Sequence, residues 1–267
     1  MVAVSSIASQ PGFAVRVVRC GGGHRGWSEP EERTAPELVL VRSGWFRRRT
    51  RAGVVEADPT VGYLTRPGDE ETFAHPAGGD VCTAVRFAPS VWHQLFGELP
   101  PAASPVYVDA ALELAHRRVV AAARQPDTVF ALSERMLDLA QAAIGTGEAA
   151  GAPSDRHLVA EARLAIVEDQ PAAATLLTLA DSLRVSPFRL SRAFTREVGV
   201  PLTHYRNRVR VSRVLARLEA GEPDLARLAA ELGFADQAHL TRTVRRHVGH
   251  TPTALRRFLR ISTATVV

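Results

Sequence analysis

Between Leu232 and Pro252 the chain reads LGFADQAHLTRTVRRHVGHTP, and Gln237, His239, Thr241, Arg242, Arg245 and Arg246 occupy the polar side of this helical stretch. Arginine and glutamine pair with base edges in the major groove of DNA, while threonine and further arginines reach phosphate oxygens. An ordinary solvated helix face mixes charges of both signs, and this one has no acid after Asp236. A second set lies upstream in SPFRLSRAFTREVG, where Phe188, Ser191 and Arg192 share a face with Thr195 and are flanked by Ser186, Arg189 and Arg196. By this chemistry Arg192, Gln237 and Arg242 suit base edges. Ser186, Arg189, Arg196, Thr241, Arg245 and Arg246 fall to the phosphate backbone.

The elements that position these residues form an internal repeat. Leu179, Ala180 and Leu183 recur as Leu228, Ala229 and Leu232 at an offset of 49; Leu190, Arg192, Val198 and Gly199 recur as Leu240, Arg242, Val248 and Gly249 at an offset of 50. The extra residue falls in the turn, where Gly233-Phe234-Ala235 replaces Arg184-Val185. In each copy a short helix carries apolar residues at i, i+3, i+4 and i+7 (Leu176, Leu179, Ala180, Leu183; Leu225, Leu228, Ala229, Leu232). A second helix begins at an N-cap, Ser186 before Pro187 or Asp236, and stops at Gly199 or Gly249. Leu190, Ala193, Phe194 and Val198 in one copy, and Leu240, Val244 and Val248 in the other, face inward. Two short helices joined by a three- or four-residue turn make a helix-turn-helix. Leu202 to Ala220 reads as one long helix between the copies, ended by Glu222-Pro223. At about 1.5 Å per residue it sets the copies roughly 25–30 Å apart, near the 34 Å or so of one DNA turn, so both second helices can enter successive major grooves.

Charge agrees with this division. From Asp155 onward 18 Arg face 11 acids, net +7, and residues 1–154 hold 15 Arg against 17 acids, net −2; lysine is absent. The basic half is where a polyanion binds, and guanidinium suits both phosphate and guanine.

Together the residues from about Arg156 to Arg260 resemble the AraC/XylS family of bacterial transcription regulators. The first unit carries the resemblance in its Leu-Ala opening, Ser186, Leu190, Arg192, Phe194, Gly199, Tyr205 and Arg210. The second carries it in Leu228-Ala229, Gly233-Phe234, Asp236-Gln237, Arg242, Gly249, Thr251-Pro252 and Arg256. By resemblance, Phe188, Ser191, Arg192, Gln237, His239 and Arg242 stand where family members touch bases. Leu240 and Val244 replace the usual phenylalanines, and Val214 a small alanine. These apolar exchanges bear on operator choice more than on DNA binding.

The first half reads as short strands with turns about every ten residues. Leu38–Val41, Trp45-Phe46, Val54-Val55, Val61–Leu64 and Val81–Phe87 are separated by glycine, proline and aspartate, the spacing of a small antiparallel barrel or sandwich. Apolar stripes at Ala111–Val120 and Val129–Ala140 then predict two helices, covered by the barrel or by a second subunit. GTGEAAGAPS, Gly145 to Ser154, is small and flexible. The resemblance implies a cupin-type sensor barrel and a dimerising helical pair.

The expected architecture is α+β. Residues 1–145 form a cupin-like β-barrel with a helical pair, 146–154 a linker, and 155–267 an all-α domain of two helix-turn-helix units. Expected partners are double-stranded DNA, a small-molecule effector, RNA polymerase and a second copy of the chain.

Catalytic chemistry finds little support. Metal-dependent cupins resemble a paired His-x-His with a nearby carboxylate, whereas His24 and His75 stand in HRGWSE and HPAGGD. Cys20, His24, His75 and Cys82 offer four ligands that zinc accepts, but at spacings that match no strong zinc pattern. No phosphate-cradling loop follows Gly21–Gly23. No metal or cofactor is assigned, and no catalytic residue. Two cysteines, no signal peptide and no membrane-length apolar run point to a cytoplasmic protein. The alternative is a cupin-type metal-dependent enzyme, or a metal or thiol sensor, fused to a DNA-binding domain.

Overall fold

The computed structural model describes residues 2–22, 26–96, 105–123, 132, 136, 138–139, 142–143 and 153–260. The chain divides into two compact units, Met1–Gly147 and Glu148–Arg260.

The first unit is built on antiparallel strands. One sheet runs in the order β1 (Val2–Gln10), β2 (Phe13–Cys20), β9 (Asp80–Phe87), β4 (Glu37–Ser43), β7 (Val61–Thr65), β10 (Pro105–Tyr107). A smaller sheet runs β3 (Glu31–Glu32), β8 (Glu70–Ala74), β5 (Phe46–Thr50), β6 (Gly53–Ala57). The first five residues of β4 are all buried because apolar material lies on both sides of the large sheet. Val39, Val41, Cys82 and Ala84 pack toward Phe46, Ala57 and Tyr63 inside the barrel. Val15, Leu38, Leu40, Val85 and Phe87 face outward, onto Trp92 of helix α1 (Pro89–Phe96) and Leu112, Ala115 and Val119 of α2 (Ala110–Ala122). At such fully buried sites a Leu→Ala change costs about 2–5 kcal/mol.

One feature was absent from the sequence expectation, and one resolves an alternative that it left open. The β1–β2 hairpin at the N-terminus extends the sheet, although its outer strand is mostly exposed and gave no burial pattern to read. Among the described residues, the helical stripes pack against the barrel of their own unit. Leu132, Met136, Leu139 and Ala143 join the same core as Leu112 and Val119, all at 7% exposure or less.

Buried charge in this unit is paired. The Glu71 carboxylate accepts from Arg33 Nε at 2.7 Å and from Arg48, and the Arg48 guanidinium lies 4.3 Å from the Tyr63 ring centre. On α2, burial, followed by the nearby Arg42 and Arg117, pushes the His116 pKa down to about 3, so this histidine is a neutral core residue at physiological pH.

The second unit begins at α3 (Pro153–Val167), so Pro153 and Ser154 are helical rather than linker; the remainder of 146–154 lies outside the described residues. It continues with α4 (Leu176–Ser182), α5 (Pro187–Val198), α6 (Leu202–Glu219), α7 (Leu225–Glu231), α8 (Gln237–Val248) and α9 (Pro252–Arg260). The 18 residues of α6 make a rod of roughly 27 Å. Its Tyr205, Val209, Val211, Val214, Leu215 and Leu218 are buried. Tyr205 meets Phe194 of α5 edge-on at 5.0 Å. Arg213 donates to the carbonyls of Ile166 and Val167, which satisfies the end of α3.

Candidate nucleic-acid interface

Local chemistry sets the start of each second helix. The Ser186 hydroxyl accepts from Arg189 N–H at 3.2 Å with Pro187 in the first turn, and the Asp236 carboxylate accepts from His239 N–H at 2.5 Å. Gly199 and Gly249 end the helices in the left-handed conformation, at φ 79° and 74°. The turns are equivalent as well. Val185 N–H donates to Ala180 C=O and Phe234 N–H to Ala229 C=O, preceded by left-handed Arg184 (φ 54°) and Gly233 (φ 69°). The inserted residue of the second copy is thus Ala235.

Burial then divides each helix. Leu190, Ala193 and Phe194 are buried on α5, and Leu240, Thr243, Val244 and Val248 on α8. Leu240 and Val244 are wholly inaccessible, so the departures from phenylalanine are filled core positions. Phe188, Arg189, Arg192, Thr195 and Arg196 are exposed, as are Gln237, Arg242, Arg245 and Arg246; Ser191, His239 and Thr241 are half-buried. In the first helix of each copy the expected stripe is partial: Leu179, Ala180, Leu228 and Ala229 are buried, whereas Leu176 is 37% exposed.

The outward groups differ in their partners. Phe188, 69% exposed, sits under the Arg192 guanidinium at 5.3 Å, a cation–π contact that steadies the arginine. Arg196 is ion-paired with Asp155 of α3, and Arg189 lies 3.9 Å from the same carboxylate. On α8, Arg242, Arg245 and Arg246 have no ion pair among the described residues. His239 accepts from Ala235 N–H through Nδ1 at 3.2 Å and meets Phe234 edge-on at 5.6 Å. With Nδ1 so engaged, a neutral His239 carries its proton on Nε2 and presents a donor. Thr195 donates its hydroxyl to Ser191 C=O at 3.0 Å, which holds it against its own helix. The Ser186 oxygen, used in capping, keeps its O–H free to donate.

Sequence reasoning missed the Asp155 contacts, because that residue lies 41 positions from Arg196. Nor does the sequence show that the Arg210 guanidinium lies 5.7 Å from the Phe234 ring of the second turn. Of the four metal-ligand candidates, the structure brings Cys20 and His75 together and adds Asp80, unnoticed in the sequence. Cys82 contacts Asp80, and His24 lies outside the described residues. Among the described residues no helix is long and apolar enough to cross a membrane.

Known proteins share several of these features. Residues 179–257 match the family described as a helix-turn-helix domain. A comparison with curated proteins finds no match. Among solved structures, ToxT from Vibrio cholerae strain SCE256 with bound unsaturated fatty acid is 10% identical, covering 97% of this chain and 99% of that one at a TM-score of 0.38. The C-terminal domain of AraT, a response regulator from Geobacillus stearothermophilus, is 27% identical over 41% of this chain and 91% of its own, at a TM-score of 0.38. A cupin domain from Bordetella pertussis Tohama I is 18% identical over 33% of this chain and 93% of its own, at a TM-score of 0.28. Residues 179–257 are thus a helix-turn-helix domain, the arrangement that places its second helix in the major groove of DNA.

Proposed function

We propose that the protein regulates transcription by reading two successive major grooves of double-stranded DNA, one with each helix-turn-helix, without catalytic activity of its own. The observation that carries this reading is the recurrence of Arg192 and Arg242, each exposed on a helix whose opposite face is buried and whose ends are fixed by a side-chain cap and a left-handed glycine. Base edges fall to Phe188, Ser191, Arg192, Gln237, His239 and Arg242. Phosphates fall to Ser186, Arg189, Arg196, Thr241, Arg245 and Arg246. Phe188 and Ala238 supply apolar surface suited to a thymine methyl.

The barrel unit senses a small molecule on this reading, and RNA polymerase is the partner through which an operator-bound regulator acts. The ligand named with ToxT, an unsaturated fatty acid, is a candidate effector class. On this reading the chain acts as a homodimer.

Footprinting the full chain on DNA upstream of its own coding region tests the reading. Protection is expected in two patches about one turn apart, with affinity falling steeply between about 50 and 200 mM salt as counterions return to the phosphates. Binding that is absent at low salt, or indifferent to salt, contradicts it.

A further inference from the structure

Three side chains able to ligate a metal meet at one end of the barrel: Cys20 closing β2, His75 just after β8, and Asp80 opening β9. Their ligand atoms lie within 4.8 Å of one another, and the residues are 7%, 6% and 5% exposed. Cys20 stands opposite Asp80 in the β2–β9 register, which places both side chains on the same face of the sheet. His75 Nε2 is 2.9 Å from Asp80 Oδ1, and the His75 ring packs on Phe46 with centres 5.6 Å apart. Cys82, two residues along β9, donates its thiol to Asp80 Oδ2 at 3.0 Å.

We propose that Cys20, His75 and Asp80 bind a divalent cation of the zinc class, with Cys82 as a positioning residue that holds the Asp80 carboxylate from its far oxygen. Local spacing hides such a site, because Asp80 forms no ligand motif with Cys20 or His75. Nor could it show that strand pairing closes the gap between residues 20 and 80.

Size, charge and access all fit. Tetrahedral zinc, at about 2.3 Å from sulfur and 2.0–2.2 Å from nitrogen or oxygen, sets its ligand atoms roughly 3.3–3.8 Å apart. The cluster reaches that geometry by closing around the ion, with a few tenths of an ångström of opening between His75 and Asp80. One thiolate and one carboxylate neutralise the dication while imidazole stays neutral, so the loaded site buries no net charge. Binding displaces the Cys20 thiol proton to solvent. A sulfur and a nitrogen donor together select zinc or cobalt over magnesium or calcium. Cys20, Gly21, Ser43, Gly79 and Asp80 line a surface depression that gives solvent a path to the cluster. The wall there is tight: a Cβ on Gly79 would fall 2.5 Å from the Cys20 carbonyl oxygen. Three protein ligands leave a fourth position for water or for a donor atom of an effector.

The proposal stands apart from the DNA-binding reading, and its test needs no DNA. Reduced, chelator-stripped full-length protein is titrated with Co²⁺. One ion per chain is expected, with visible absorption of tetrahedral intensity and a thiolate-to-cobalt band in the near ultraviolet. Equimolar Zn²⁺ should abolish both, and excess Mg²⁺ should change neither. Cys20→Ser should remove the thiolate band. His75→Gln and Asp80→Asn should weaken binding tenfold or more. Cys82→Ala should keep the band at about tenfold weaker affinity, and Cys82→Ser, which restores a donor to Asp80, should recover most of that loss. Circular dichroism of each stripped variant confirms its fold. Wild-type protein that binds no Co²⁺, or binds it without a thiolate band, overturns the proposal even where variants fail to fold. A band lost in Cys82→Ser and kept in Cys20→Ser overturns it equally.

Discussion

In the first helix-turn-helix, Arg189 and Arg196 lie at Asp155 of α3, and Arg192 rests on Phe188. In the second, Arg242, Arg245 and Arg246 meet no acid among the described residues, and only His239 is drawn back, onto Phe234. The two units share caps, left-handed turn residue and closing glycine, so their backbones offer DNA the same shape. What differs is how much positive charge each has ready. The second unit presents bare charge, which on the proposed reading makes it the electrostatic anchor. The first presents an aromatic surface and partly neutralised arginines, suited to discrimination with less pull on phosphate.

The largest effect that sharpens this contrast is on salt dependence. Arg245→Ala with Arg246→Ala should lower the slope of log affinity against log salt by nearly 2, about 0.9 for each phosphate that the variant no longer neutralises. Arg189→Ala with Arg196→Ala should lower it by clearly less, because Asp155 already offsets part of their charge. Equal slopes from titrations at several salt concentrations would erase the distinction.

Stability offers a second comparison, at the turn. Gly233→Ala should cost about 1 kcal/mol, the penalty of a Cβ in the left-handed region, read by chemical denaturation. The equivalent Arg184 already bears that penalty, so Arg184→Gly should stabilise the unit by a smaller amount, part of the relief being offset by the greater freedom of glycine in the unfolded chain. Destabilisation by Arg184→Gly would mean its side chain makes compensating contacts and the turns are not equivalent.

Smaller still is the release of the first unit's arginines. Asp155→Asn should tighten binding to DNA of any sequence by about 0.5–1 kcal/mol at low salt, since the pair is partly exposed and screened. The gain should vanish at high salt. Weaker binding instead would show that Asp155 aims Arg196 at phosphate rather than restraining it. Phe188→Leu keeps the apolar surface and removes the ring beneath Arg192, and should cost about 0.5 kcal/mol, confined to specific sites.

Much of the second unit is legible in the sequence because its signals are local. Ser186-Pro187, Asp236, Gly199 and Gly249 mark helix ends by chemistry that acts within three or four residues, and the offsets of 49 and 50 expose the repeat directly. Contacts between distant positions are not legible that way. Asp155 with Arg196, and Cys20 with Asp80, exist only once helices dock and strands pair. The barrel stripes carry a related lesson. Apolar periodicity at Leu112, Val119, Leu132 and Leu139 shows that a face is covered, and leaves open whether its own unit or a second chain covers it.

Selection of binding sites from a random DNA library, by wild-type protein, Arg192→Ala and Arg242→Ala, tests the central claim most directly. Each substitution should cost about 1–3 kcal/mol at the selected site, the worth of a bidentate arginine–guanine contact. Each should also relax the preferred motif at one position, the two positions lying roughly 10 bp apart. An unchanged motif, with every sequence weakened equally, would make both arginines backbone clamps and place specificity elsewhere on the two helices.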